Sequence, residues 1–518
     1  DPLWSRGLGD VYKRQFQNGN LRISQQNVSG FSTFDVNTND KWYFELTSTT
    51  NQSISQIVIS AQSRSTFEVS YTANGQKAVN GSASAYGASW TNGDIIGVAI
   101  DRANNQITFY KNNVSQGAIT NTFPALGTTV LAGYYSENTA VDTVDFNFGQ
   151  RPFAYTPPTG FKALCTSNLA DSTIVKGNSY MDATLYTGNG SSPRTITNAA
   201  GFYPDFTWVK DRSTASFGHN QYDSVRGTGK LLISNATAAE ITNDVNGYVS
   251  AFNSNGFTLT AGSSSNNGMN SNGDAIVAWQ WNAGSGSTSS NTSGSITSTT
   301  SVNATAGFSI VTFNAGASGN QTVGHGLGVA PKMVILKDRA NAVGWFVYIP
   351  AVMATNQYMT LNTTLAITTS GTIWGASAPT SSVFGFTSGS CITPNANGVA
   401  YCFAEIAGYS KFGSYTGNGS ADGPFVYLGF RPKFIMIKRT DATQNWPIVD
   451  TSRDTYNVAN KRLFANLSDA EDTGIPNYMD ILSNGFKCRD SNISYNASGG
   501  TYIYMAFAEN PFKNALAR

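Results

Sequence analysis

From residue 16 onward, strand-length apolar and aromatic runs alternate with clusters of Gly, Ser, Thr and Asn. Lys41-Trp42-Tyr43-Phe44-Glu45-Leu46 reads as an aromatic-rich strand. Gly93-Asp94-Ile95-Ile96-Gly97-Val98-Ala99-Ile100-Asp101 leads through Asn104-Asn105 into Gln106-Ile107-Thr108-Phe109-Tyr110-Lys111-Asn112, which predicts a hairpin. Ile95, Val98, Ile100, Ile107 and Phe109 are expected to face a core between two sheets, with their polar neighbours solvated.

Past Cys165 the pattern repeats itself. Gly201-Phe202-Tyr203-Pro204-Asp205-Phe206-Thr207-Trp208-Val209-Lys210-Asp211-Arg212 returns at Gly328 to Arg339 and again at Gly429 to Arg439. Tyr186-Thr187-Gly188-Asn189-Gly190 returns as Tyr415-Thr416-Gly417-Asn418-Gly419, and Ser254-Asn255-Gly256-Phe257 as Ser483-Asn484-Gly485-Phe486, both 229 positions on. Each copy closes on an apolar strand: Ala275 to Trp279, Val399 to Glu405, Tyr502 to Glu509. The proline marks a strand's first residue, and the run 206–209 is apolar at nearly every position, as in a central strand covered on both faces. Units of about 100 residues exceed the roughly 20–45 residues of solenoid repeats, so each copy is expected to fold on its own core.

The predicted organisation is therefore an all-β chain of tandem antiparallel β-sandwich domains (concanavalin- or jelly-roll-like), arranged as beads on a string. The boundaries are residues 1–15, 16–163, 176–283, 293–408 and 409–518, with a Gly/Ser/Thr linker at 284–292. The first fifteen residues are charged and aperiodic. They resemble the translated adaptor sequence found at the ends of metagenomic reading frames, and are expected to be foreign to the fold, with the natural N-terminus upstream.

Composition narrows the function classes. Charged residues are 12% of the 518 and aromatics also 12%, with 40% hydrophobic, enough for real cores in a chain rich in turn formers. Lys and Arg number 32 against 31 Asp and Glu, so no basic field draws in nucleic acid. No stretch approaches the roughly 18–20 apolar residues of a membrane span, and the chain is read as soluble. Cys165, Cys391, Cys402 and Cys488 lack zinc-site spacing. Cys391 and Cys402 flank a turn signal and could face each other. Cys402, placed opposite Ala278 and Ala506 of the other copies, is read as a small buried reduced residue.

Two resemblances follow from these residues. The aromatic strand, the Gly-Asp-x-Ile-Gly-Val-Ala-x-Asp segment, Ile107 to Asn112, and the ending Val144 to Gly149 with Pro152-Phe153 and Pro157 to Phe161 are similar to the SPRY (B30.2-like) domain. That resemblance implies a two-sheet sandwich presenting loops to a protein or glycan, without enzymatic activity. The repeats resemble a module of unassigned function common in tailed-phage structural proteins. The resemblance rests on Thr322-Val323-Gly324-His325-Gly326-Leu327-Gly328, Asp223-Ser224-Val225-Arg226-Gly227 and Met505 to Phe512. It implies a tail or tail-fibre setting, hence a virion location, extracellular when released.

Candidate ligand contacts are Tyr71, Trp90, Tyr134 and Tyr135 near loop-like clusters of the first domain, with core or rim packing as the competing reading. Asp223 and Arg226 recur as Asp450 and Arg453, while the second copy has Ile349 at the matching place. These pairs either fix a loop through charge-assisted hydrogen bonds or contact a glycan or peptide, with Trp345 and Trp446 as stacking faces. The two histidines, His219 and His325, stand at non-equivalent places, which argues against a nucleophilic triad. His325 is expected to make a loop contact, an isolated metal ligand being the alternative. No catalytic residue, metal site or cofactor is assigned. The expected partners are a host-surface glycan or protein, or other tail proteins, bound through weak contacts multiplied by avidity. A structural spacer and a polysaccharide-degrading enzyme are the alternatives, and the oligomeric state stays open.

Overall fold

A computed structural model describes residues 15–17, 22–25, 29–50, 55–61, 68–121, 123–125, 128–136, 141–215, 217–264, 268–475 and 478–514. The segment expected to be adaptor-derived lies, but for Gln15, outside the described residues. The chain divides into two compact units, Asp1–Asp171 and Ser172–Arg518. Both are all-β, with short 3-10 turns as the helical elements among the described residues.

The first unit holds two sheets, antiparallel but for Lys162–Ala163, which pairs parallel to Lys41–Thr50. One runs Gln15–Gln17, Arg22–Gln25, Asp142–Asn147, Lys41–Thr50, Ile95–Asp101, Gln106–Lys111, Val114–Thr120. The other runs Ser29–Asp35, Val130–Tyr135, Gln56–Ala61, Glu68–Thr72, Gln76–Val79, Ser82–Ala85. Rings cross between them, Phe34 against Trp42 at 5.2 Å and Tyr71 against Phe109 at 5.3 Å. The predicted hairpin forms, with Ile100 opposite Ile107 and Val98 opposite Phe109 and with Asn105 at φ 53° in its turn. Lys41–Thr50 departs from simple alternation, because its second face is covered too. Phe153 packs edge-on against Tyr43 at 5.0 Å, and the buried Glu45 carboxylate accepts the backbone N–H groups of Ala154 and Tyr155 at 2.8 and 3.0 Å.

In the second unit each copy builds the same main sheet. Copy 1 has the order Met181–Thr187, Ala275–Trp281, Phe206–Asp211, Asn220–Asp223, Lys230–Ile233, Ile241–Thr242. Copy 2 repeats it with Phe308–Asn314, Asn397–Phe403, Met333–Asp338, Trp345–Tyr348, Gln357–Thr360 and Thr368–Thr369. Copy 3 has Ser410–Thr416, Thr501–Pro511, Phe430–Arg439, Pro447–Asp450 and Leu463–Phe464. A smaller antiparallel sheet accompanies each. The repeated Phe-x-Trp-Val-type strand is central and wholly buried, as its sequence predicted.

The tandem sheets are as expected, but separate cores are not what the copies have. One contiguous apolar cluster takes Trp208 and Trp281 from copy 1, Ile335 and Phe403 from copy 2, and Phe434 and Phe507 from copy 3. Rings bridge the copies: Phe206 to Tyr401 at 4.5 Å, Trp281 to Phe507 at 5.7 Å, Phe403 to Phe507 at 5.9 Å. The reason lies in the central strand, whose two faces both need cover. In copy 1, Val209 packs with Tyr222, Leu231 and Phe257 between the two sheets of its own copy, while Phe206 and Trp208 on the other face enter the shared cluster. The other copies supply that second cover, so the beads close on one another.

Residues 284–292, expected as a linker, are structured. The buried Asp205 carboxylate accepts the N–H groups of Ala283, Ser285 and Gly286 at 2.7 to 2.9 Å, and Ser289–Asn291 pairs as an edge strand of copy 2. All four cysteines are free. Strand register sets Cys402 opposite Val334, where copy 1 has Gln280 and copy 3 has Ala506, so Ala278 was two residues out of register.

Candidate binding surface and interior polar clusters

In the first unit an exposed face is assembled from the edge strand Ser82–Ala85, residues 87–93 and the opposite sheet's edge strand Val114–Thr120. Polar anchors hold these pieces together. The Gln116 side chain accepts the Ala88 N–H at 2.7 Å, Lys111 Nζ donates to Ser89 O at 2.7 Å, and the Tyr86 hydroxyl donates to Gly117 O. Asp94 accepts from Thr91 N and Asn112 Nδ2, which with Lys111 keeps its carboxyl below the ordinary range despite the opposing effect of burial. The face is small and polar, Ser, Ala, Gly and Asn, around one prominent apolar side chain, Val114, 65% exposed.

The candidate aromatics lie inside the unit, not on its surface. Tyr71 and Trp90 are buried within a cluster with Phe109, and the Tyr71 hydroxyl donates to Ala88 O, so they support the exposed face from below. Tyr134 is buried and donates to Asp142 at 3.3 Å. Tyr135 is half-buried at a strand end. As direct ligand contacts, Tyr71, Trp90 and Tyr134 are corrected to core residues.

The second unit's candidates are corrected in the same way, since Asp223, Arg226, Trp345, Trp446, Asp450 and Arg453 are all buried. They form the seams between copies. At the seam of copies 1 and 2, Arg226 Nε donates to Asp223 at 2.5 Å, Glu240 bridges Arg226 at 3.2 Å and Arg339 at 2.8 Å, and the Tyr401 hydroxyl donates to Asp223 at 2.8 Å. At the seam of copies 3 and 1 the same figure recurs: Arg453 to Asp450 at 2.6 Å, Glu471 to Arg453 at 3.2 Å and Arg212 at 2.7 Å, and Trp279 Nε1 to Asp450 at 3.0 Å. The guanidinium neighbours hold Asp450, Glu240 and Glu471 below the usual carboxylate range even though burial, the largest influence, pushes the other way.

At the seam of copies 2 and 3, register puts Ile349, Val352, Ile367, Thr440 and Met505 in those five places. The charged cluster is thus present whole or absent whole, as expected of buried charges that are costly when unpaired. Matching backbone bonds cross each seam: Glu240 N to Arg339 O, Ile367 N to Thr440 O, Glu471 N to Arg212 O. Trp345 and Trp446 serve as seam donors, to Ile233 O at 2.9 Å and to Thr360 O at 3.2 Å, each in the preceding copy. The three copies therefore close as a ring.

Glu240, Glu471, Arg212 and Arg339 escape sequence reading because the pairs that cross the seams, Glu240 with Arg339 and Glu471 with Arg212, lie 99 and 259 residues apart. The lysine common to all three repeats was the visible signal. Lys210, Lys337 and Lys438 are buried with Nζ among backbone carbonyls, Lys337 reaching Thr237 O of copy 1 and Lys438 reaching Thr364 O of copy 2. Burial pushes Lys210 and Lys337 down to about 8 and Lys438 to about 7. The unfolded chain then holds more protons than the folded one between these values and the ordinary 10.5. The urea midpoint of the second unit is expected to rise from pH 7 toward pH ~10, the reference range of a free lysine; a flat or falling midpoint would show that the ammoniums are not penalised.

His325 makes the loop contact expected of it, its Nδ1 accepting Leu327 N–H at 3.1 Å and its Nε2 lying 3.1 Å from Thr380 O. Among the described residues no three His, Cys, Asp or Glu gather as a metal site.

The architecture is that of a two-sheet unit followed along the chain by a closed three-copy β unit. Residues 30–151 match the SPRY domain model and form a SPRY domain, a protein-interaction module. The chain belongs to the family described as domain of unknown function DUF7483, whose model matches residues 176–511 and so spans all three copies as one domain. The E3 ubiquitin-protein ligase RKP of Arabidopsis thaliana is 40% identical over 87 residues, 16% of this chain and 7% of that protein, so the chain spans only a small part of this relative. Among solved structures, the SPRY domain of human HERC1 is 18% identical, covering 28% of this chain and 99% of that one, with a TM-score of 0.24. The stonustoxin structure is 11% identical, covering 26% of this chain and 25% of that one, with a TM-score of 0.22.

Proposed function

We propose that the chain is a non-enzymatic virion component of a tailed phage, in the tail or tail fibre, whose SPRY domain binds a host-surface protein or glycan or a neighbouring tail protein. The observation that carries the binding reading is the fastened, exposed face of Ser82–Ala85, residues 87–93 and Val114–Thr120, already ordered without a partner, which lowers the entropic cost of association. The virion setting rests on the likeness of the three repeats to phage tail modules. A second reading, a structural spacer, is favoured by the inward placement of every polar candidate in the ring.

The test presents purified chain to host-cell surfaces and to arrayed glycans, beside a variant carrying Ser84→Arg and Val114→Asp. Binding that falls at least tenfold, by about 1.4 kcal/mol, in the variant supports the face. Absence of binding by either protein favours the spacer. Shortening of the host polysaccharide by the purified chain would overturn the non-enzymatic reading.

A further inference from the structure

The three seams differ at one more position. Opposite the buried lysine, copies 2 and 3 carry Trp345 and Trp446, whose indoles donate across to the preceding copy. Copy 1 carries His219 there, fully buried and facing copy 3. Its Nδ1 accepts the Trp208 indole N–H at 2.8 Å, and its Nε2 turns toward the Phe464 carbonyl of copy 3 without reaching good hydrogen-bond geometry. Its ring lies parallel to Trp279 at 6.2 Å. Where copy 1 has Trp208, copies 2 and 3 have Ile335 and Met436, so the Trp-His pair is peculiar to this seam.

The seam is also topologically distinct. Copies 1 and 2, and copies 2 and 3, follow one another along the chain, whereas copies 3 and 1 are held together only by packing and polar contacts such as Ser234 Oγ to Ala465 O and Ser452 Oγ to Ala183 O. Hence a weakened contact here opens the ring at its one non-consecutive joint.

We propose that His219 makes the closing seam between the first and third copies an acid-sensitive latch, releasing those copies from each other while the other two seams hold. A proton on Nδ1 would set two N–H donors head to head, Trp208 Nε1 against His219 Nδ1, with no acceptor between them. The charged groups around the ring oppose protonation as well. Lys210 on the neighbouring strand of copy 1 and Arg453 of copy 3 both repel an imidazolium, and the Asp450 carboxylate beyond Trp279 is already taken by Arg453 and the Trp279 indole. Burial is the largest influence, and all of these hold His219 well below the ordinary histidine range. The open state binds the proton that the closed state refuses, so closure is complete above pH ~6.5 and weakens below it, by up to about tenfold per pH unit.

The chain has two histidines, so between pH ~6.5 and 5, above the ordinary carboxylate range, the reporters are few. The experiment follows hydrogen exchange of the full chain from pH ~6.5 to 5, below the range in which the buried lysines change charge, corrected for intrinsic rates, at the three equivalent cross-seam amides. Protection of Glu471 N–H is expected to fall by up to about tenfold per pH unit, while Glu240 and Ile367 keep theirs. His219→Trp, copying the other two copies, is expected to flatten the Glu471 response, and His325→Gln to leave it unchanged. Should His219→Trp fail to fold, imidazole NMR on the wild-type protein decides: His219 is expected to stay neutral while the seam remains closed. A His219 signal titrating near 6.5 with Glu471 still protected, an equal loss at all three seams, or a response surviving in His219→Trp would overturn the latch.

Discussion

Asp450→Leu, made alone, is expected to destabilise the second unit by about 3–5 kcal/mol, because it takes the closest carboxylate from the buried Arg453 guanidinium, leaving it Glu471 and the Ile448 carbonyl, and leaves the Trp279 indole N–H without its acceptor. Changing all five members of that cluster to the residues of the uncharged seam, Asp450→Ile, Arg453→Val, Glu471→Ile, Arg212→Thr and Trp279→Met, is expected to cost far less. Buried ion clusters replaced entire by apolar residues are often neutral or stabilising by about 1–4 kcal/mol. The seam of copies 2 and 3 is the protein's own instance of such a replacement. Urea unfolding with matched m-values measures both; a quintuple variant no better than the single one would show that the seam's geometry, and not its charge pairing, requires these residues.

The second large effect is expected at the centre of the ring. Phe507→Ala should cost about 3–5 kcal/mol, the range for emptying a large aromatic site, since Phe507 meets Trp281 of copy 1 and Phe403 of copy 2 as well as Phe412 and Phe434 of its own copy. A small cavity of about 10 Å³ already lies there, lined by Trp281, Tyr401, Phe403 and Met505 among others. The loss should appear as one transition shared by all three copies, read by exchange at Val277, Val399 and Ile503 on the three last strands. Loss confined to the strands of copy 3 would mean that the copies fold independently after all.

Both predictions turn on a feature that periodicity does not display. Strand-length runs, the Asn104-Asn105 hairpin and the threefold echo were legible because each is a local or repeated pattern, and they give the all-β class, the SPRY domain and the central strand 206–209. The candidate residues were legible as recurrent but not as interior. Asp223 with Arg226 reads first as a loop clamp, which the local bonds of Arg226 N and Nε to Asp223 match, and second as a surface contact, and the spacing within one copy says nothing about Glu240, Arg339 and Tyr401 arriving from elsewhere in the chain. The aromatic candidates failed for a related reason. Tyr71 and Trp90 stand beside polar, loop-like sequence, yet it is the backbone of that loop which faces outward and their rings which hold it up.

The sequence alone therefore determined which segments are strands, which strand is central, that three copies exist, and that one of them lacks the Asp-Arg pair. Only the tertiary structure decided that the copies share a core, that the presumed linker is paired, and that the recurring charges are sealed between copies. The physical reason is that a strand apolar on both faces states its demand for two covers, while which surface supplies the second cover depends on contacts between segments one to three hundred residues apart, and no local pattern records them.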